Sequence, residues 1–166
     1  GSEFSLVFSA EAGPALAGAP EQKMAPVSFD KKILVADDNR VNRMVAGKLV
    51  ERLGCVVNFA TNGAEAVELN KTWMPDLILM DVRMPEMDGL DATHAIRARE
   101  REYALPTVPI IGLSANAMYE HRHEGLSAGM CDYLAKPVNK TALASSFARI
   151  WPEDNRLPSE RVTQCA

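Results

Sequence analysis

Leu77-Ile78-Leu79-Met80-Asp81-Val82-Arg83-Met84-Pro85-Glu86-Met87-Asp88-Gly89 joins an unbroken apolar run to a helix start through a loop that begins on a carboxylate. Four apolar residues in a row, introduced by Pro75-Asp76, have the length of a strand buried on both faces. Pro85 excludes a helix across the loop, and Asp88-Gly89 marks the start of the next one, which runs to about Arg101.

The same unit recurs on either side. Ile33-Leu34-Val35-Ala36 is a second buried run and ends on Asp37-Asp38-Asn39. Val41, Met44, Val45, Leu49 and Leu53 then recur at helical spacing until Gly54 stops them. Cys55 to Phe59 reads as a strand. Asn62 and Glu65 stand at capping-box spacing before a helix carrying Ala66, Val67 and Leu69. Downstream, Pro109 precedes the run Ile110-Ile111-Gly112-Leu113. Asn116 is placed to cap a helix ending near Gly129. Met130 to Ala135 is a fifth strand, broken by Lys136-Pro137. Asn139 opens a last helix with Leu143, Phe147 and Ile150 on one side. Five strands alternating with five helices predict an α/β fold with a parallel sheet and helices on both faces.

Composition sets the limits. The chain has 166 residues, 47% of them hydrophobic, which suffices for one domain with a core and tails. A net charge of -4 gives no reason to expect direct nucleic-acid binding. No stretch reaches the ~18 uninterrupted apolar residues of a membrane span, so this domain is expected to make no membrane contact. Cys55, Cys131 and Cys165 form no CxxC pair, which argues against a disulfide scaffold and a zinc site. Cys55 and Cys131 are read as buried thiols and Cys165 as an exposed one. The predicted organisation is 1–29, a cloning scar (Gly1-Ser2-Glu3-Phe4) and flexible linker; 30–151, the domain; and 152–166, a polar tail with Pro152 and Pro158.

The chemically informative residues follow the apolar runs. Asp37 and Asp38 come after the first, Asp81 ends the third, Ser114 follows the fourth and Lys136 the fifth. In an open parallel sheet the carboxyl ends of the strands share one edge, where ligands bind. Three carboxylates gathered there repel one another, and a hard divalent cation with oxygen ligands relieves that repulsion. Mg²⁺ suits an open site that keeps waters and accepts phosphate oxygens. Lys136 adds a mobile positive charge suited to a carboxylate or phosphoryl group. His94, His121 and His123 stand outside these loops and are read as surface residues. Gly63, Gly89 and Gly129 are read as cap or turn residues, since no Gly-rich phosphate fingerprint occurs.

Asp37-Asp38-Asn39, Asp81-Val82-Arg83-Met84-Pro85, Asp88-Gly89, Ser114-Ala115 and Lys136-Pro137 together resemble the receiver domain family of two-component response regulators, over roughly residues 30–151. Asn42-Arg43 also resembles receivers attached to hybrid sensor histidine kinases. The resemblance implies a flavodoxin-like (βα)5 three-layer sandwich with a five-stranded parallel sheet, order 2-1-3-4-5, two helices on one face and three on the other. It implies Asp81 as phosphoacceptor, with Lys136 and Ser114 as the other catalytic-site residues. Mg²⁺ would be bound directly by Asp38, through water by Asp37, and by Asp81 and the Arg83 backbone carbonyl. Ser114 would bond the phosphoryl group, Tyr133 would be the aromatic switch, and Pro137 would follow a cis peptide bond. The implied partner is a histidine kinase dimerisation/phosphohistidine domain or a histidine phosphotransfer protein. The implied location is cytoplasmic, alone or as the cytoplasmic part of a membrane-anchored sensor kinase. Receivers catalyse their own phosphorylation and dephosphorylation rather than turning over a metabolite.

Two other classes compete. A receiver-like docking module would bind without phosphorylation, and the intact acidic set with Lys136 speaks against it. A Mg²⁺-dependent phosphohydrolase of the haloacid dehalogenase type would need a second Asp two residues after its nucleophile. Arg83 stands there.

Overall fold

A computed structural model describes residues 29–115 and 119–153, with the backbone alone for 119–121. The expectations for the segment 1–28, Asn116, the tail 154–166 with Cys165, and the side chain of His121 lie outside the described residues. Strands β1 (Lys32–Ala36), β2 (Val56–Ala60), β3 (Leu77–Asp81), β4 (Ile110–Ser114) and β5 (Asp132–Ala135) alternate with helices α1 (Arg40–Arg52), α2 (Gly63–Thr72), α3 (Gly89–Glu102), α4 (Tyr119–Ala128) and α5 (Lys140–Ile150). The strands are all parallel, in the order β2-β1-β3-β4-β5. This is the flavodoxin-like (βα)5 sandwich expected. Among the described residues no helix is long and apolar enough to cross a membrane.

The period-2 alternation of each strand sorts its side chains into two cores. Ile33, Val35, Leu77, Leu79, Ile111 and Leu113 face α1 and α5, meeting Ala46, Val50, Leu143 and Phe147. Leu34, Ala36, Ile78, Met80 and Ile110 face α2 and α3, meeting Ala66, Ala92 and Ile96. Helix α4 lies beside α3: Arg97 of α3 bonds the Gly129 carbonyl just beyond the end of α4. Because both sheet faces are covered, the central strands carry no polar side chain between their end residues.

Asx side chains start the helices. Asn39, Asn62, Asp88 and Asn139 each accept from backbone N–H groups of the first turn. The reciprocal half of the expected capping box differs in detail. Glu65 reaches past Asn62 and accepts from the N–H and hydroxyl of Thr61, both at 2.7 Å.

Helix α1 departs from its apolar pattern. Val41, Met44 and Val45 are 65%, 48% and 46% exposed, while Ala46, Val50 and Leu53 are buried. The sheet takes the face bearing the small residues: at Gly47 an added Cβ would lie 2.6 Å from the Phe59 ring. Cys55 is buried as expected, but Cys131 is exposed, because it precedes β5 rather than belonging to it. Phe29, assigned by the sequence to the linker, is 2% exposed. It packs edge-on against Phe147 at 5.5 Å, and Trp151 lies 5.5 Å from the same ring. Phe29 therefore belongs to the packed body.

That aromatic trio closes the outer end of one core. Phe147→Ala should cost about 3–5 kcal/mol of unfolding free energy. Urea denaturation measures it, and a loss under about 1 kcal/mol would mean that the cluster contributes little.

Candidate functional site

The strand register brings the candidate residues to one edge. Ala36 pairs with Met80, Asp81 with Leu113, and Ser114 with Ala135, so the carboxyl ends of β1, β3, β4 and β5 are nearly flush. The edge is sewn further by Val82 N–H donating to Leu113 and Lys136 N–H donating to Ser114, at 3.1 and 2.8 Å. Gly89 sets how close α3 comes. A Cβ there would lie 2.1 Å from the Asp81 carbonyl oxygen, so only glycine fits at this helix start.

Asp37, Asp38 and Asp81 form one cluster, with a carboxylate oxygen from each within 4.8 Å of the others. Asp37 and Asp81 are buried and Asp38 is exposed. Lys136 Nζ stands 2.7 Å from Asp37 Oδ2 and 2.8 Å from Asp81 Oδ2. Asp37 Oδ1 accepts from Asn39 N–H at 2.9 Å and Asn42 Nδ2 at 3.3 Å. Its Oδ2 is buried and has no aligned hydrogen-bond donor, so its contact with Lys136 is Coulombic. Asp81 Oδ1 accepts from Arg83 N–H at 3.2 Å. The Lys136–Pro137 peptide bond is cis.

The charges do not balance. Burial pushes the Asp81 carboxyl above its ordinary pKa, and the nearby Asp37 charge adds to this. The bond and charge of Lys136 and the Arg83 N–H pull the other way without prevailing. Burial acts to lower the Lys136 pKa, but its close contacts with the Asp37 and Asp81 carboxylates hold it above the ordinary value. One ammonium shared by two carboxylates remains protonated and neutralises neither fully. The donors left over are hard oxygens, among them the unbonded Asp37 Oδ2. That set fits a divalent cation of the Mg²⁺ type.

The remaining candidates lie around this centre. Ser114 is buried at the end of β4. Tyr133 lies against β4 and α4: a Cβ on Gly112 would be 2.7 Å from its ring, and one on Gly125 would be 1.6 Å from its hydroxyl oxygen. That hydroxyl is buried, with no hydrogen-bond partner among the described residues. Arg83 is exposed, as are His94 and His123. Sequence reasoning assigned no role to Arg43, whose guanidinium Nη1 donates to the carbonyls of Asp37 and Asp38. Its only signal was its place beside Asn42.

Residues 33–148 match the response regulator receiver domain family. The chain is 40% identical over 148 residues to hybrid signal transduction histidine kinase H of Dictyostelium discoideum, covering 87% of this chain and 10% of that protein. Among solved structures it resembles the receiver domain of sensor histidine kinase PA1611 from Pseudomonas aeruginosa PAO1, which has a magnesium ion coordinated in its active-site cleft. The identity is 41% and the TM-score 0.64, covering 72% of this chain and 95% of that one. It also resembles the receiver domain of the Saccharomyces cerevisiae response regulator Ssk1, solved with the histidine phosphotransfer protein Ypd1. Here the values are 28% and 0.70, with coverage of 76% and 92%.

The charge imbalance predicts opposite effects on stability. A raised Asp81 pKa means that wild-type stability falls as pH rises from the ordinary carboxylate value through the raised one. At neutral pH without metal, Asp81→Asn should therefore be more stable, by about 0.5–2 kcal/mol, and the gain should vanish in acid where both side chains are neutral. Lys136→Met strands two buried carboxylates and should cost about 3–5 kcal/mol. Urea titrations at pH 7 and pH 3 distinguish the cases. A destabilised Asp81→Asn would show that the ionised Asp81 is a net support of the fold.

Proposed function

The chain belongs to the response regulator receiver domain family, and on that premise we propose that Asp81 accepts a phosphoryl group from a phosphohistidine donor, with Mg²⁺ bound at the acidic cluster. The observation that carries the reading is the convergence of Asp37, Asp38 and Asp81 with Lys136 bridging two of them. The proposed unit is residues 30–151, extended by Phe29. Asp38 and Asp81 would hold the cation with the Arg83 carbonyl, and Asp37 would act through water. Mg²⁺, when bound, supplies positive charge to the phosphoryl oxygens.

The protein's own part is positioning and neutralisation. An Asp81 oxygen attacks phosphorus, a P–O bond forms, and the P–N bond to the donor imidazole breaks. Lys136 stays charged throughout and moves its attraction from the carboxylate to the arriving phosphoryl oxygens. Ser114, two residues beyond Gly112 on β4, donates its hydroxyl to the phosphoryl group. Tyr133 lies on the bare backbone of Gly112, so a shift of the β4 end is transmitted to its ring.

The proposed partner is a histidine phosphotransfer protein or the phosphohistidine domain of a kinase. Exposed Val41, Met44 and Val45 offer it an apolar surface on α1. Val41 and Val45 also line a cavity of about 220 Å³ whose wall includes Asp37 and Lys136, so the surface is continuous with the site. The parent would be a hybrid histidine kinase, of which this chain is a small share, as it is of its relatives.

Incubation with a phosphohistidine donor and Mg²⁺ should add one phosphoryl mass to the wild type and none to Asp81→Asn. Asp38→Ala should need far more Mg²⁺ for the same yield. Mass gain in Asp81→Asn at the wild-type rate would remove Asp81 as acceptor. The partner surface has its own test. Val45→Asp should slow transfer from a protein phosphodonor at least about 10-fold, the scale of a 1.4 kcal/mol loss, and leave phosphorylation by acetyl phosphate unchanged. Equal slowing with both donors would place the defect in the site rather than the surface.

A further inference from the structure

Arg43 lies one turn into α1, where its backbone N–H donates to the Asn39 carbonyl at 3.0 Å. Its side chain turns back over the loop that precedes the helix. One guanidinium nitrogen, Nη1, donates to the Asp37 carbonyl at 2.6 Å and to the Asp38 carbonyl at 3.0 Å. These are the two successive residues whose carboxylates enter the acidic cluster. Bonds to consecutive carbonyls restrain the two peptide planes that flank the Asp38 Cα, and hence the direction in which its Cβ leaves the main chain. Asp37 is also held through its carboxylate by Asn39 N–H and Asn42 Nδ2. Asp38 receives a hydrogen bond from Arg43 and from no other described residue. That bond is the described hydrogen-bond restraint on the Asp38 main chain, from which its exposed carboxylate projects.

We propose that Arg43 is a positioning residue for the divalent-cation site, holding the Asp37 and Asp38 carboxylates in their binding arrangement through the two backbone carbonyls. The proposal rests on the reading of the acidic cluster as a Mg²⁺ site. It runs against simple electrostatics, which makes its sign informative. Arg43 is a cation close to where another cation binds, so charge alone predicts that removing it tightens Mg²⁺ binding. Positioning predicts the reverse. Groups that orient metal ligands without touching the metal typically account for about 10–100-fold in affinity. A small exposed site has few other restraints on Asp38, so positioning outweighs repulsion.

The test is calorimetric titration of the full chain with MgCl2 at fixed pH and ionic strength, in wild type, Arg43→Met and Arg43→Gln. Both variants remove the charge, and Gln is too short to span the carbonyls. Each should bind Mg²⁺ at least about 10-fold more weakly. The metal-free urea midpoint should stay close to wild type, and saturating Mg²⁺ should restore the extent of phosphorylation by acetyl phosphate. Equal or tighter binding in either folded variant overturns the proposal and leaves repulsion as the role of Arg43. A phosphorylation defect that saturating Mg²⁺ does not repair overturns it as well. Wild type that takes up no Mg²⁺ overturns the underlying reading of the site, a different result from either.

Discussion

The Lys136 ammonium, 2.7 Å from Asp37 and 2.8 Å from Asp81, is the contact on which the site edge depends. It ties the ends of β1, β3 and β5, which are joined through β4 and the β1–β3 pairing elsewhere. Moving two carboxylates out of water costs several kcal/mol per ion, and a single shared cation recovers only part of it. An apolar plug of similar volume would be no less stable. The sheet instead keeps a group of like charges at its most accessible edge, which is a pattern of functional rather than structural carboxylates. The raised Asp81 pKa expresses the same conflict: burial outweighs its bonds to Lys136 and Arg83.

The loops around this edge are held by small residues and short bonds. Gly89 lets α3 begin against the Asp81 carbonyl, where any side chain would collide with backbone. Gly63 does the same for the next pair of loops. Its N–H donates to Met87 at 3.0 Å, and a Cβ would lie 2.5 Å from that carbonyl oxygen. Asn62 Nδ2 donates to Glu86 across the same gap at 3.1 Å. Movement of Asp81 is therefore opposed on the β3 side by packing, while the β1 side relies on the hydrogen bonds of Asn42 and Arg43.

Much of the fold was legible because β1, β3 and β4 are buried on both faces and so appear as unbroken apolar runs. The edge strand β2 was harder. Val56 and Phe59 are exposed, and the observed strand is shifted one residue from Cys55–Phe59 to Val56–Ala60. In α1 the residues with helical spacing were real, but the spacing of Val41, Met44 and Val45 does not show that their face is the buried one. Ala46 and Gly47 are small, carry little hydrophobic signal, and nonetheless take the sheet side because they permit close approach. The acidic cluster was legible because each member follows an apolar run, and parallel topology collects such positions. Arg43 was not, since its role lies in bonds to main-chain carbonyls. No pattern of side-chain types encodes those.

The edge of the sheet away from the site is built differently. Arg97 donates to Gly129 through Nε and Nη2, and to Val108 through Nη2, while Nη1 pairs with Glu100 at 2.7 Å. Glu100 in turn accepts from Val108 N–H at 2.8 Å. Both side chains are largely buried, and here the charges do balance. Removing either partner would strand the other, whereas the pair satisfies two carbonyls and an amide that packing alone would leave unbonded. This network ties α3, the segment leading into β4 and the end of α4 to one another. Farther up α4, the Tyr133 ring lies on the bare backbone of Gly125, its hydroxyl unbonded among the described residues. Tilting that lifts Gly129 must break hydrogen bonds to a buried guanidinium, and the Gly125 carbonyl is tied in turn to the Met130 N–H at 2.8 Å. The C-terminal end of α4 is thereby anchored to α3 and to the segment leading into β4, where buried polar groups are satisfied.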